Sequence, residues 1–277
     1  MLRSRAEEKG LANLWGKFKI TKCARVARGR EIKWKIPFKH SIFDLVEMPL
    51  PSFISQFLSP GIRVALRRVR EEYHISRYHR QGMREIKRRS LARPARLNLG
   101  CGPYPKEGYL NVDIFPGGDL TLDLRRPLPF ESECCQFIFS EHCFEHIDYP
   151  DVVSDLLQES LRILTPGGVL RFSVPDTEWP LLDYAKGPEA EYFRNCKKEN
   201  FWYHPKYCST PLEHINYHFR QNGEHLFAYD ENTATKLLER VGFQDVRREK
   251  FDPAMDSPHR ELGSLFMSGR KPAKNTP

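Results

Sequence analysis

No apolar run in this 277-residue chain approaches the roughly 20 residues that a membrane-spanning helix needs. The opening stretch, MLRSRAEEKGLANLWGKF, has no apolar core of the kind a secretory leader carries, so a cleaved signal peptide is not expected. None of the seven cysteines (Cys23, Cys101, Cys134, Cys135, Cys143, Cys196, Cys208) forms a C-x-x-C pair. Their odd number and scatter argue against a disulfide framework and for reduced thiols in a cytoplasmic protein. Internal repeats and low-complexity tracts are absent too. With 40% hydrophobic residues and a mean hydropathy of -0.59, the chain reads as soluble and globular. Its length suits one α/β domain with an appendage better than two equal domains.

Acid is scarce in the first third. Residues 1–96 carry 24 lysines and arginines against 8 acids, a net of +16, whereas residues 97–277 carry 20 against 28, a net of −8. The whole-chain charge of +8 therefore belongs to the N-terminal segment. A strongly anionic polymer lying across the remainder is disfavoured. We expect a basic helical extension over residues 1–92, a domain over 93–271 and a short tail over 272–277. Within the extension, Pro49 and Pro51 should split residues 41–60 into two short helical pieces. Ile62, Leu66, Val69 and Tyr73 recur at helical spacing in a basic helix over 62–91, and Arg93-Pro94 marks the boundary.

Beyond that boundary strands and helices alternate. Strands are expected near 96–100, 109–113, 119–123, 135–140, 168–174, 245–251 and 263–269. Helices should cover 151–164, stopped by Pro166 and Gly167, and 231–241, closed by Gly242. The pattern implies a Rossmann-like, doubly wound, mostly parallel seven-stranded sheet. Residues 96–113, RLNLGCGPYPKEGYLNVD, are the most informative segment. A strand ending at Gly100-Cys101-Gly102 lets backbone N–H groups approach a ligand, and an acid closing the next strand, Asp113, suits the two hydroxyls of a ribose. A dinucleotide fold wants G-x-G-x-x-G opening a full helix. Here Pro105 occupies the third glycine position and only about ten residues separate the strands, so a turn or a helical stub is expected instead.

The order LNLGCGP, NVD, TLDLRRPLPF, CQFIFSEHCFEHI, LTPGGVLRFSVPD and LLERVGFQDV resembles the class I S-adenosylmethionine-dependent methyltransferases, and among them the methyltransferase type 11 group. The resemblance spans residues 94–271. It implies S-adenosylmethionine as cofactor, with Gly100, Cys101 and Gly102 beside its methionine portion. It further implies that Asp113 holds the ribose, that Ile114 lies against the adenine, that Asp123 and Leu124 read the adenine edge, and that Ser140 and Glu141 border the sulfonium.

One string admits another chemistry. His142, Glu145 and His146 spell H-x-x-E-H, a zinc-peptidase signature if helical, and that enzyme class is a rival reading. In the methyltransferase reading no metal is expected, and His142 or His146 would be the general base for the acceptor. An aromatic- and histidine-rich insertion over 176–229 should shape the acceptor pocket, with Asp176 and His225 facing the substrate. The expected acceptor is a hydroxyl, or an amine, of a small molecule or a glycan or lipid-linked precursor. The basic extension would pack on its own domain or a second subunit, or meet a membrane surface, or, less favoured, nucleic acid. The remaining rivals are an RNA methyltransferase and a non-catalytic S-adenosylmethionine-binding regulator.

Overall fold

The computed structural model describes residues 58–198 and 204–274. The short helical pieces expected over 41–60 and the basic, aromatic-dotted stretch before them therefore lie almost wholly outside the described residues. What is described of the extension is helix α1, Pro60–Arg89, capped by the Ser59 side chain, which accepts from the Ile62 N–H. It carries Lys87, Arg88 and Arg89 in its last turn, where cations meet the negative end of the helix dipole. No helix among the described residues is long and apolar enough to cross a membrane.

Seven strands follow: β1 (Arg96–Leu99), β2 (Leu110–Asp113), β3 (Leu120–Thr121), β4 (Cys135–Glu141), β5 (Leu164–Pro175), β6 (Gln244–Glu249) and β7 (Ser264–Arg270). They form one sheet in the order β3-β2-β1-β4-β5-β7-β6, with β7 antiparallel to both its neighbours. The pairings β3/β2, β2/β1, β1/β4 and β4/β5 are all parallel. Leu97, Leu99, Val112, Ile138, Leu170 and Val174 are fully buried, as expected for central strands covered on both faces. Edge strand β6, QDVRRE, instead exposes its charges, which protects an edge from pairing with another chain.

Helix α2 (Asp151–Ile163) buries Val153, Leu156, Leu157, Ser160 and Ile163, one stripe at the helical repeat. Helix α6 (Glu231–Val241) is opened by Asp230, which accepts from the Thr233 N–H, and closed by Gly242. Between β5 and α6 run three short helices, α3 (Glu178–Lys186), α4 (Glu191–Cys196) and α5 (Pro211–Arg220). They have their own small core of Tyr192, Phe193, Cys196 and Ile215, separate from the main one. Among the described residues, Trp179, Tyr192, Phe193 and Phe219 thus pack the insertion down, whereas Tyr184 and Tyr207 are exposed.

One local expectation is corrected. Pro166 and Gly167 do not stop α2. The helix ends at Ile163 and β5 starts at Leu164, so the Pro-Gly pair sits inside the strand where its register with β4 shifts. The β1–β2 connection is made of turns, as one of the two expectations for it had it, and they end where the Asn111 side chain bonds Lys106 and Tyr109. Helix α1 packs on β3. A Cβ at Gly82 would lie 2.1 Å from the Thr121 carbonyl oxygen, so only glycine allows this approach of helix to strand. The helix thereby covers a two-residue edge strand too short to protect itself.

Candidate functional site

Gly100 and Cys101 both donate backbone N–H bonds to the Val112 carbonyl, at 2.8 and 3.1 Å, which folds the chain back sharply at the end of β1. Gly100 has φ +70, and a Cβ there would lie 2.5 Å from the Cys143 sulfur. Asp113 then clasps the loop. Its Oδ2 accepts from the Gly102 N–H at 2.7 Å and its Oδ1 from the Phe115 N–H at 2.9 Å. Each carboxylate oxygen keeps a further lone pair for a ligand.

These groups open onto a cleft of about 660 Å³ at the carboxyl ends of β1, β2 and β4, where open α/β sheets bind ligands. Gly100, Cys101, Gly102, Asp113, Ile114 and Leu124 line it from one side, and Glu141, His142 and His146 from the other. A groove of equal volume against β6 and β7 shares none of these residues. Its arginines are largely engaged by acids, as in the Arg171–Asp256 pair at 2.5 Å, and it lacks a glycine turn facing an acid. The strand-end cleft is the candidate site. Cys101 is no nucleophile there: burial, then the Asp113 charge, push its thiol up to about 11.

Four residues expected at the site are not among its lining. The Ser140 hydroxyl is buried and donates to the Leu99 carbonyl at 2.9 Å, tying β4 to β1. Asp123 is buried under two arginines, with Arg125 Nε at 2.8 Å and Arg126 Nε at 3.2 Å. Burial alone would raise its pKa, but the Arg125 bonds outweigh that and hold the carboxyl below its usual range. Leu124 and Arg125 face the cleft in its stead. Asp176 pairs with Arg248 at 2.7 Å, at the root of the insertion. His225 bonds the His218 carbonyl through Nδ1 at 2.9 Å and packs edge-on to His146, with ring centroids 4.9 Å apart.

The H-x-x-E-H string is not helical. His142 follows β4 with φ +49, and only a single tight turn, Phe144–His146, comes after it. Its two histidines therefore do not share a helix face. His142 Nδ1 faces Glu145 at 3.2 Å and Nε2 lies 2.9 Å from the Ser264 hydroxyl, in a buried setting that pushes its pKa down. His146 is exposed on the cleft, its Nδ1 3.0 Å from the Glu224 carbonyl.

Glu141, expected from the sequence, lines the cleft, but the groups that hold it and several of its neighbours carry no sequence signal. Glu141 accepts from the Ser257 N–H and hydroxyl, both at 2.7 Å, with Lys106 Nζ at 3.1 Å. Burial would raise its pKa, but these partners outweigh it and the carboxyl stays below its usual range. Ser257, His259 and Arg260 come from the β6–β7 connection, which has no period and no motif. Glu71, from α1, also lines the cleft, while its neighbour Glu72 forks onto Arg125 at 2.7 and 2.9 Å. A helix read as an appendage thus supplies part of the wall.

Residues 112–248 match the family described as a methyltransferase domain. Among curated proteins none matches the sequence. Solved structures similar to the chain include a SAM-dependent methyltransferase and possible histamine N-methyltransferase from Thermotoga maritima (15% identity, 71% of this chain and 91% of that one, TM-score 0.36). Another is phosphoethanolamine N-methyltransferase 2 of Haemonchus contortus (14% identity, 70% and 52%, TM-score 0.36). A third is a possible exported protein from Bordetella parapertussis (19% identity, 70% and 67%, TM-score 0.38).

Proposed function

We propose that this chain, whose residues 112–248 match a methyltransferase domain, is a class I S-adenosylmethionine-dependent methyltransferase that methylates a hydroxyl, with an amine as second choice, on a small molecule or on a glycan or lipid-linked precursor. The cleft suits the cofactor on three counts. Asp113 uses one acceptor position of each oxygen on the loop and keeps the others for the ribose diol. A Cβ at Gly102 would project where no atom lies within 4 Å, the room a ligand needs. Ile114 and Leu124 offer the adenine apolar contact.

When bound, S-adenosylmethionine supplies a methyl group already activated on a sulfonium. The chain's share is to align the acceptor, exclude water and take a proton. The observation that carries the hydroxyl reading is the partner of His146. A carbonyl only accepts, so the Glu224 oxygen holds the ring proton on Nδ1 and leaves Nε2 with a lone pair. An imidazole in that tautomer on the cleft wall takes the proton of a weakly acidic hydroxyl as the oxygen gains the methyl group. An amine attacks through its own lone pair and has less need of such a base.

Release of S-adenosylhomocysteine from the full chain, followed over a panel of sugars, lipid-linked sugars and amines, tests the reading. For an accepted hydroxyl, His146→Ala should lower kcat by about 10²–10⁴. Affinity for S-adenosylhomocysteine should not change. Full activity of His146→Ala on a hydroxyl acceptor sinks the base assignment. Turnover confined to amines sinks the hydroxyl reading.

A further inference from the structure

The insertion holds a second cluster with its own chemistry, away from the cleft. Cys196 ends α4, His204 follows in the connection, and His214 sits in the first turn of α5. One donor atom from each, the thiol sulfur and a nitrogen of each imidazole, lies within 4.8 Å of the others. Cys196 and His214 are buried and His204 is half-buried. The sulfur stands 3.8 Å from His204 Nε2, and the two histidines face each other through Nδ1 at 2.9 Å.

From this geometry we infer that Cys196, His204 and His214 bind a thiophilic divalent cation, zinc in the first instance, as a structural staple of the insertion. Tetrahedral zinc holds sulfur and nitrogen donors about 3.3–3.6 Å apart, a spacing that small side-chain rotations supply here. Three protein donors leave the fourth position of the usual tetrahedron to a further ligand.

A second feature of the insertion calls for such a staple. Among the described residues its core has four buried hydrophobic residues, Tyr192, Phe193, Cys196 and Ile215, with Trp179, Ala190 and Phe219 packed against them. The helices that supply them are six and ten residues long, too short to hold themselves in water. Segments with so little core are commonly closed by a metal or a cross-link. The site is separate from H-x-x-E-H, with which it shares no residue, and it stands whether or not the acceptor reading holds.

The experiment uses the purified full chain. Zinc is measured by mass spectrometry, and chelator-treated protein is then titrated with Co²⁺ and Zn²⁺. We expect one equivalent of bound metal and a sulfur-to-cobalt charge-transfer band that zinc abolishes. Cys196→Ser and His214→Ala should each lose the band and at least tenfold in affinity, whereas Cys134→Ser should keep both. S-adenosylhomocysteine binding, measured on the same samples, shows that each variant is folded and reports on the cleft independently. Absence of stoichiometric metal together with absence of the cobalt band overturns the proposal. So does a band that survives Cys196→Ser, and in that case the trio is a metal-free hydrogen-bonded cluster.

Discussion

Replacing Asp113 with asparagine is the sharpest test of the cleft. The native carboxylate accepts from Gly102 at 2.7 Å and from Phe115 at 2.9 Å, one bond per oxygen. An amide has a single acceptor oxygen. Whichever way it turns, its NH2 confronts one backbone N–H, and it can no longer accept from both ribose hydroxyls while holding the loop. A hydrogen bond to a charged acceptor contributes about 1.5–3 kcal/mol, so losing one should weaken S-adenosylhomocysteine binding roughly 10- to 150-fold. Titration calorimetry reads this directly. Asp123→Asn is the contrasting variant. That carboxylate lies buried between Arg125 and Arg126, so its loss should lower thermal stability and leave cofactor affinity within about twofold. If Asp113→Asn binds as tightly as the parent, or if Asp123→Asn is the variant that loses the ligand, the assignment of the two acids is wrong.

Other outcomes follow from the same packing. Burial lowers the His218 pKa to about 3, while a free imidazole titrates near 6.5. Below about pH 6.5 the unfolded chain therefore binds a proton that the folded one refuses, and stability falls with pH by up to about 1.4 kcal/mol per unit. Urea denaturation should show about 2 kcal/mol of this loss between pH 6.5 and 5, absent in His218→Gln, and parallel pH dependence of the two proteins would dismiss it. Gly82→Ala drives a methyl group into the Thr121 carbonyl and should cost about 1–3 kcal/mol, seen as a lower Tm. Gly61→Ala, in the same helix with nothing within 4 Å, should be neutral or stabilising, and equal effects at both sites would refute the close-packing argument.

The parts of the fold legible in the sequence are those whose burial leaves a one-dimensional trace. LNL, YLNV and FIFS are largely apolar because their strands are covered on both faces, and α2 and α6 repeat at the helical period, α6 with a cap and a glycine at its ends. The glycine turn and Asp113 were readable because few residue types serve a backbone donor loop facing an acid. Asp123 was harder. Nothing in TLDLRR says whether the two arginines stand in solvent or close over the carboxylate, as they do. H-x-x-E-H carries a helical meaning only on a helix, and the left-handed backbone at His142 removes it. Lys106 and Ser257 meet Glu141 across 151 residues of sequence, a juxtaposition that only the β6–β7 connection creates.

The insertion leaves and rejoins the domain at one point. Asp176 pairs with Tyr229, and the Thr177 hydroxyl donates to the Tyr229 carbonyl at 2.6 Å. Lengthening a loop whose ends are already pinned costs only about 0.6 kcal/mol per doubling. Such a junction is a natural crossover site, where one insertion can be exchanged for another without disturbing the sheet. The exchange has one constraint. The returning strand of chain bonds back to the histidine turn, with the Leu226 N–H on the Glu145 carbonyl at 2.7 Å and the Glu224 carbonyl on His146. A chimaera that cuts at 176 and 229 must import residues that reproduce this strap. One that cuts before Glu224 keeps the parent's imidazole orientation.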